Sequence, residues 1–299
     1  MDLGSWSWDP SLFYVVPAAI LYARGSRRKA GRPRALQALA FYAGLLTIVL
    51  AVDSTIDAYA DELLWVHMAQ HILLLTVAPP LILLGRPWPR MWRALPLGWR
   101  VTLAHDATHS RLAAPLRALA KPLAAWIVFN ATIVVWHIPA AYDLTERNGL
   151  VHAGEHAMFF FFGLLFWARV TDVGPLRPHV QAVWRLAYIV GAMVVGWVLA
   201  IVFVVAPTPI YTHYADLASR PGGISALTDQ QLAGGMMWVG GSVAYTIALL
   251  IGLYLWVAPE PPGRARAPAA SGLRPLPPEP PGHANGAPTP ALPQGTLTT

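Results

Sequence analysis

Seven stretches of this chain are long and apolar enough, or nearly so, to cross the roughly 30 Å hydrocarbon core of a bilayer. They lie near residues 8–23, 35–52, 63–85, 123–142, 150–168, 183–206 and 234–258. Of its residues 56% are hydrophobic and 12% charged, whereas soluble domains carry about 25% charged residues. The expected fold is therefore an all-α, seven-helix transmembrane bundle. The first stretch is the weakest, since Asp9 and Pro17 interrupt it. It is expected to be a span and not a secretory signal, because Asp2 and Asp9 stand where a signal would start with basic residues.

Basic residues set the expected orientation. Arg24, Arg27, Arg28, Lys29, Arg32 and Arg34 fall between the first two stretches. Arg86, Arg90, Arg93, Arg100, Arg111, Arg117 and Lys121 follow the third, so these connections are expected to be cytoplasmic. The alternate connections carry Asp53, Asp57, Asp61 and Glu62, then Asp143, Glu146 and Arg147, then Asp216, Arg220 and Asp229. The N-terminus is thus expected outside and the C-terminus in the cytoplasm. The sequence pI of 9.8 reflects topology and calls for no nucleic-acid partner. Trp88, Trp92 and Trp99 alternate with arginines between 86 and 122, a pattern suited to the inner headgroup layer. Residues 1–258 read as one membrane domain. Residues 259–299 hold twelve prolines and are expected to be a disordered cytoplasmic tail.

Five histidines fall toward one face of this bundle. His67 and His71 begin the third stretch, His137 lies near the end of the fourth, and His152 and His156 begin the fifth. Each i,i+4 pair places two imidazoles on one helix face about 6 Å apart along the axis. His71 is roughly 13 Å into its helix from Glu62, and His156 about 9 Å beyond Leu150. A single membrane histidine is often only a polar link between helices. Five at one depth point instead to a bound metal or cofactor.

The chain has no cysteine, so thiolate sites and disulfides are excluded. Further donors at this level are Asp53, Asp57 and Asp61, which would form one acidic stripe if the second helix continues past the membrane edge. Met236 and Met237, expected to open the seventh span, are others, although methionine is common core filler. His213 lies in the last outer connection. Imidazole with thioether favours copper, particularly Cu(I), while imidazole with carboxylate suits zinc, iron or Cu(II). The pair His105 and His109 lies beside Asp106 in the cytoplasmic connection and reads as solvated surface, as do His179 and His283.

His152-Ala-Gly-Glu155-His156 also matches the inverted zinc-protease pattern, in which the glutamate is a general base. A five-residue match is weak, and Glu155 reads equally as an acceptor that orients an imidazole. A membrane metalloenzyme, either a di-iron oxygenase or a zinc hydrolase, is an alternative that fits the HxxxH spacings, although di-iron membrane oxygenases tend to carry HxxHH-type boxes that this chain lacks. A b-type haem carrier would use a pair such as His71 and His156 as axial ligands.

Several ordered motifs carry a family resemblance. They are Asp57-Ala-Tyr-Ala-Asp61, His67-Met-Ala-Gln70-His71, Val77-Ala-Pro79-Pro80, Trp136-His137-Ile-Pro139 with Tyr142, His152-Ala-Gly-Glu155-His156, and Asp229-Gln230 through Gly234-Gly235-Met236-Met237-Trp238. Over roughly residues 5–258 the chain resembles the CtaG family of multi-pass bacterial cytochrome c oxidase assembly factors. The resemblance implies a non-enzymatic role at the bacterial plasma membrane in maturing haem-copper oxidases, whose subunits would be partners alongside the lipid bilayer. It implies copper as the metal, while the residues alone leave zinc, iron and haem open. In this reading His67, His71, His152 and His156 are direct ligands and His137 a fifth ligand or proton-linked partner. Asp53, Asp57 and Asp61 draw cations to the entrance, and Met236 or Met237 holds Cu(I) transiently.

Overall fold

A computed structural model describes residues 10–27, 34–171 and 181–258. Arg28, Lys29, Arg32, His179 and the proline-rich stretch from 259 onward lie outside the described residues, as do Asp2 and Asp9. Among the described residues the regular elements are helices. The first four are α1 (Leu12–Ser26), α2 (Ala35–Val52), α3 (Thr55–Ala60) and α4 (Leu64–Leu84). Three short ones follow, α5 (Pro87–Ala94), α6 (Leu97–His109) and α7 (Ala114–Leu119). Then come α8 (Pro122–Trp136), α9 (Pro139–Arg147), α10 (Gly149–Val170), α11 (Ala182–Val205), α12 (Thr212–Ala215) and α13 (Ala226–Val257).

Helices α2, α4, α10, α11 and α13 are long and apolar enough to cross a bilayer, and α8 taken together with α9 would make a sixth span. Helix α1 is apolar but has 15 residues, short of the about 20 that span hydrocarbon. Two expected boundaries shift. The fourth stretch breaks at His137, because Ile138 precedes a proline and takes the extended backbone such residues favour (φ −68°, ψ 129°). Helix α9 then starts at Pro139, bent 75° from α8. The seventh stretch begins at Ala226 and not near 234, since the Ser225 hydroxyl accepts from the Thr228 amide at 3.1 Å and caps the helix there. Met236 and Met237 therefore lie inside α13, in a wide π turn over Met236–Gly240.

A second π turn, Leu73–Val77, sits in α4 just before Pro79 and Pro80. Pro79 has no amide hydrogen, so the Leu75 carbonyl four residues earlier loses its usual donor. An unpaired carbonyl is costly in hydrocarbon, and the Trp167 indole of α10 donates to it at 3.0 Å. This bond requires close approach of the two helices. A Cβ at Gly163 would lie 3.0 Å from both the Leu75 oxygen and the Pro79 ring, so glycine is what lets α10 reach α4. Around this junction Trp167 stacks on Tyr245 at 5.5 Å and Phe166 on Phe129 at 4.1 Å, building the main core.

Beyond α4, Arg90 of α5 turns inward and not toward headgroups. Its guanidinium donates to the Gly85 and Arg86 carbonyls at 2.8 Å each and to Gln37 at 2.7 Å. Helix α6 buries none of its residues, and His105 and His109 are exposed on it.

Candidate metal centre

The histidine-bearing turns of α4 and α10 are held by local chemistry that brings their first residues together. Leu63, at the start of α4, offers no side-chain cap. Asp229 of α13 supplies one from across the bundle, accepting from the amides of Leu64 at 2.9 Å and Trp65 at 3.1 Å. A carboxylate at a helix N-terminus satisfies orphan amides and complements the helix dipole. On α10, Asn148 caps by accepting from Leu150 and Val151. The two helices thereby start at fixed positions, and their i,i+4 histidines point toward each other.

His67 and His71 face each other with their Nε2 atoms 2.9 Å apart. The His152 ring centroid is 5.2 Å from that of His67, and His156 is 5.6 Å from His71. Ligand atoms of His67, His152 and His156 lie within 4.8 Å of one another, and so do those of His67, His71 and Glu155. His67 belongs to both sets. His67, His71, His156 and Glu155 are buried, whereas His152 is half-buried.

Hydrogen bonds orient the His67 ring. Tyr214 donates its hydroxyl to the Ala60 carbonyl at 2.5 Å, so toward His67 its oxygen can only accept. That oxygen lies 3.1 Å from His67 Nδ1, with the Tyr142 oxygen at 2.8 Å and Glu146 Oε1 at 3.5 Å. Oxygen acceptors on that side place the proton on Nδ1 and leave the Nε2 lone pair aimed at His71. Two imidazole nitrogens 2.9 Å apart can share one proton, or one ion at the usual distance of about 2.0–2.1 Å from each.

The fit to a metal rests on what the protein leaves unanswered. Among the described residues His71 Nδ1, His152 Nε2, both nitrogens of His156 and both oxygens of Glu155 are buried without a hydrogen-bond partner. The neighbouring Thr145 hydroxyl donates instead to the Tyr142 carbonyl at 2.6 Å. Buried polar groups are overwhelmingly paired, so such a concentration makes the cluster a candidate site for a cation. Glu155, read from the sequence as an orienting acceptor, stands 3.6 Å from His71 Nε2, in one set with His67 and His71.

Outside the cluster, α9 turns across its outer edge. Asp143, Glu146, Arg147, Thr212, His213 and Asp216 line an opening of about 310 Å³ there. The Glu146 carboxylate reaches His213 at 3.5 Å on this side and His67 at 3.5 Å on the other.

The remaining predicted donors are dispersed. His137 donates from Nδ1 to the Ile133 carbonyl at 2.7 Å, and its Nε2 lies 3.3 Å from Met68 Sδ, outside both ligand sets. The acidic stripe is broken because α2 stops at Val52. Asp53 closes that helix and receives the Ser11 hydroxyl at 3.3 Å, Asp57 accepts from Gln70 at 2.8 Å, and Asp61 is exposed, its backbone carbonyl accepting from His213 at 3.1 Å. Met237 lines a cavity beneath His71, whereas Met236 packs against Gly240 in its own π turn. Tyr142 and Asp229 stand in the motifs that carry the family resemblance but were given no site role there, and Tyr214 stands in none of them; the shared face of Tyr142 and Glu146, four residues apart, was the further signal.

Apolar helices long enough to span a bilayer, with four imidazoles and a carboxylate gathered where two of them begin, define a multi-span membrane protein with a candidate metal centre. The model of the cytochrome c oxidase caa3 assembly factor family matches residues 19–258, and the chain belongs to that family. Uncharacterized proteins of Mycobacterium bovis and Mycobacterium tuberculosis are each 25% identical over 232 residues, covering 75% of this chain and 34% of their own length. An uncharacterized protein of Mycobacterium leprae is 21% identical over 228 residues, covering 73% of this chain and 34% of its own. The chain thus spans about a third of the length of these relatives. No solved structure matches it.

Proposed function

We propose that this chain binds copper at the cluster of His67, His71, His152, His156 and Glu155 and serves the maturation of a haem-copper cytochrome c oxidase at the bacterial plasma membrane. The carrying observation is the set of buried imidazole and carboxylate atoms without hydrogen-bond partners on residues that gather around His67. Membership of a cytochrome c oxidase assembly factor family makes copper the metal this reading favours, and imidazole and carboxylate donors suit it as Cu(II). In this reading α1 completes a seven-span bundle with its N-terminus outside and its C-terminus cytoplasmic, and the cluster lies in the outer half. The basic residues around α5 to α7 favour that orientation. Burial also counts against a haem between His71 and His156, because Phe159 is itself buried and packs on His71 at 4.5 Å.

The chain's own groups have defined tasks. His67 and His71 present opposed nitrogens, Glu155 supplies negative charge that offsets that of a cation, and Tyr142 and Tyr214 hold the His67 tautomer that binds. Bound copper is cargo for the oxidase. In cells lacking this protein, copper in the purified oxidase and oxygen consumption are expected to fall together. Wild-type protein restores both, and a His67→Ala/His156→Ala variant present in the membrane at equal level restores neither. Full restoration by that variant contradicts the proposal.

A further inference from the structure

Beside the cluster, α4, α8, α10, α11 and α13 line a partly open cavity of about 60 Å³. Its walls include His71 and His137 with the thioether side chains of Met68, Met193 and Met237, contributed by three different helices. A methionine in such a place is ordinarily core filler. His137 makes this case different.

The Ile133 carbonyl can only accept, so its 2.7 Å bond fixes the His137 proton on Nδ1. Nε2 is then a bare lone pair, 3.3 Å from the sulfur of Met68, which also has no hydrogen to give. The opposite tautomer would set two lone pairs against each other at the carbonyl. A doubly protonated ring would be a cation among apolar side chains. Two buried acceptors thus confront each other at the cavity wall, and what reconciles them is an electrophile. Thioether and imidazole together are a soft donor set that selects Cu(I) over zinc or Cu(II).

We infer that Met68 and His137, with Met237 or Met193 beside them, form a second and softer site for a monovalent d10 ion, Cu(I), bordering the imidazole–carboxylate cluster at His71. The inference builds on the copper role proposed above, and it divides the two donor classes of this chain between two sites. The cluster takes the harder ion through nitrogen and oxygen. The cavity takes the softer one through nitrogen and sulfur.

Ag(I), a redox-inert stand-in for Cu(I), and Co(II), which prefers nitrogen and oxygen, separate the sites in the full-length protein in detergent. Met68→Leu conserves volume, and His137→Phe keeps a ring while removing Nε2. Each variant is expected to bind one equivalent of Ag(I) fewer than wild type, with Co(II) uptake equal to wild type. Equal Ag(I) uptake by wild type and either variant overturns the inference, and so does a parallel loss of Co(II), which would mean that these residues only pack the helices. Failure of the cluster reading has a different signature: no Co(II) uptake by wild type, with the Ag(I) difference intact.

Discussion

Replacing His67 by alanine is expected to weaken Cu(II) binding by more than about 100-fold, since removing even a supporting group beside a metal ligand costs about 10–100-fold. His67 is the residue common to both ligand sets, so its loss leaves neither with three donors. It is also the ring whose tautomer the tyrosine hydroxyls hold, with Tyr142 at 2.8 Å and Tyr214 at 3.1 Å from Nδ1. Competition titration against a chelator of known affinity reads the change directly. A loss below threefold in His67→Ala would mean that the cluster does not assemble around this ring.

The second large effect concerns the frame. Asp229→Ala is expected to destabilise the protein by about 3 kcal/mol, because each of the two lost charge-assisted bonds contributes about 1.5–3 kcal/mol. Part of that is recovered where water reaches the freed amides. Asp229 is fully buried and caps α4 from α13, so its removal orphans the amides of Leu64 and Trp65 at the turn that aims His67 inward. Unfolding of the metal-free protein in an SDS titration, followed by circular dichroism, measures the change. Asp229→Asn keeps one acceptor oxygen without the charge and is expected to lose about half as much. A stability equal to wild type for Asp229→Ala would show that α4 is held by packing alone.

The helices were legible because hydrocarbon leaves few choices: the apolar runs at 35–52, 63–85, 150–168 and 183–206 reappear as α2, α4, α10 and α11 with ends moved by a few residues at most. Boundaries failed where a local rule competed with hydropathy. Ile138-Pro139 broke the fourth run, and the Ser225 cap started α13 among polar residues that a hydropathy window passes over. The paired histidines were legible because i,i+4 spacing is a property of one helix, needing no knowledge of its neighbours. What depends on which helices meet was not. The stripe of Asp53, Asp57 and Asp61 assumed a helix that in fact stops at Val52. Asp229 reaches Leu64 across 165 positions and Tyr214 reaches His67 across 147, separations at which no periodicity reports. Glu155 stood in plain view between two histidines, but only the approach of α4 to α10 turns it from a neighbour of His156 into a partner of His71 at 3.6 Å.

The central claim is that imidazoles of α4 and α10 share a metal ion, and X-ray absorption at the copper edge tests it most directly. Wild-type protein loaded with one equivalent of Cu(II) is predicted to show nitrogen and oxygen scatterers at about 2.0–2.1 Å with the multiple-scattering pattern of several imidazoles, a pattern that His67→Ala/His156→Ala loses. Copper washed out by mild dialysis, or held in a first shell without imidazole, would contradict the account.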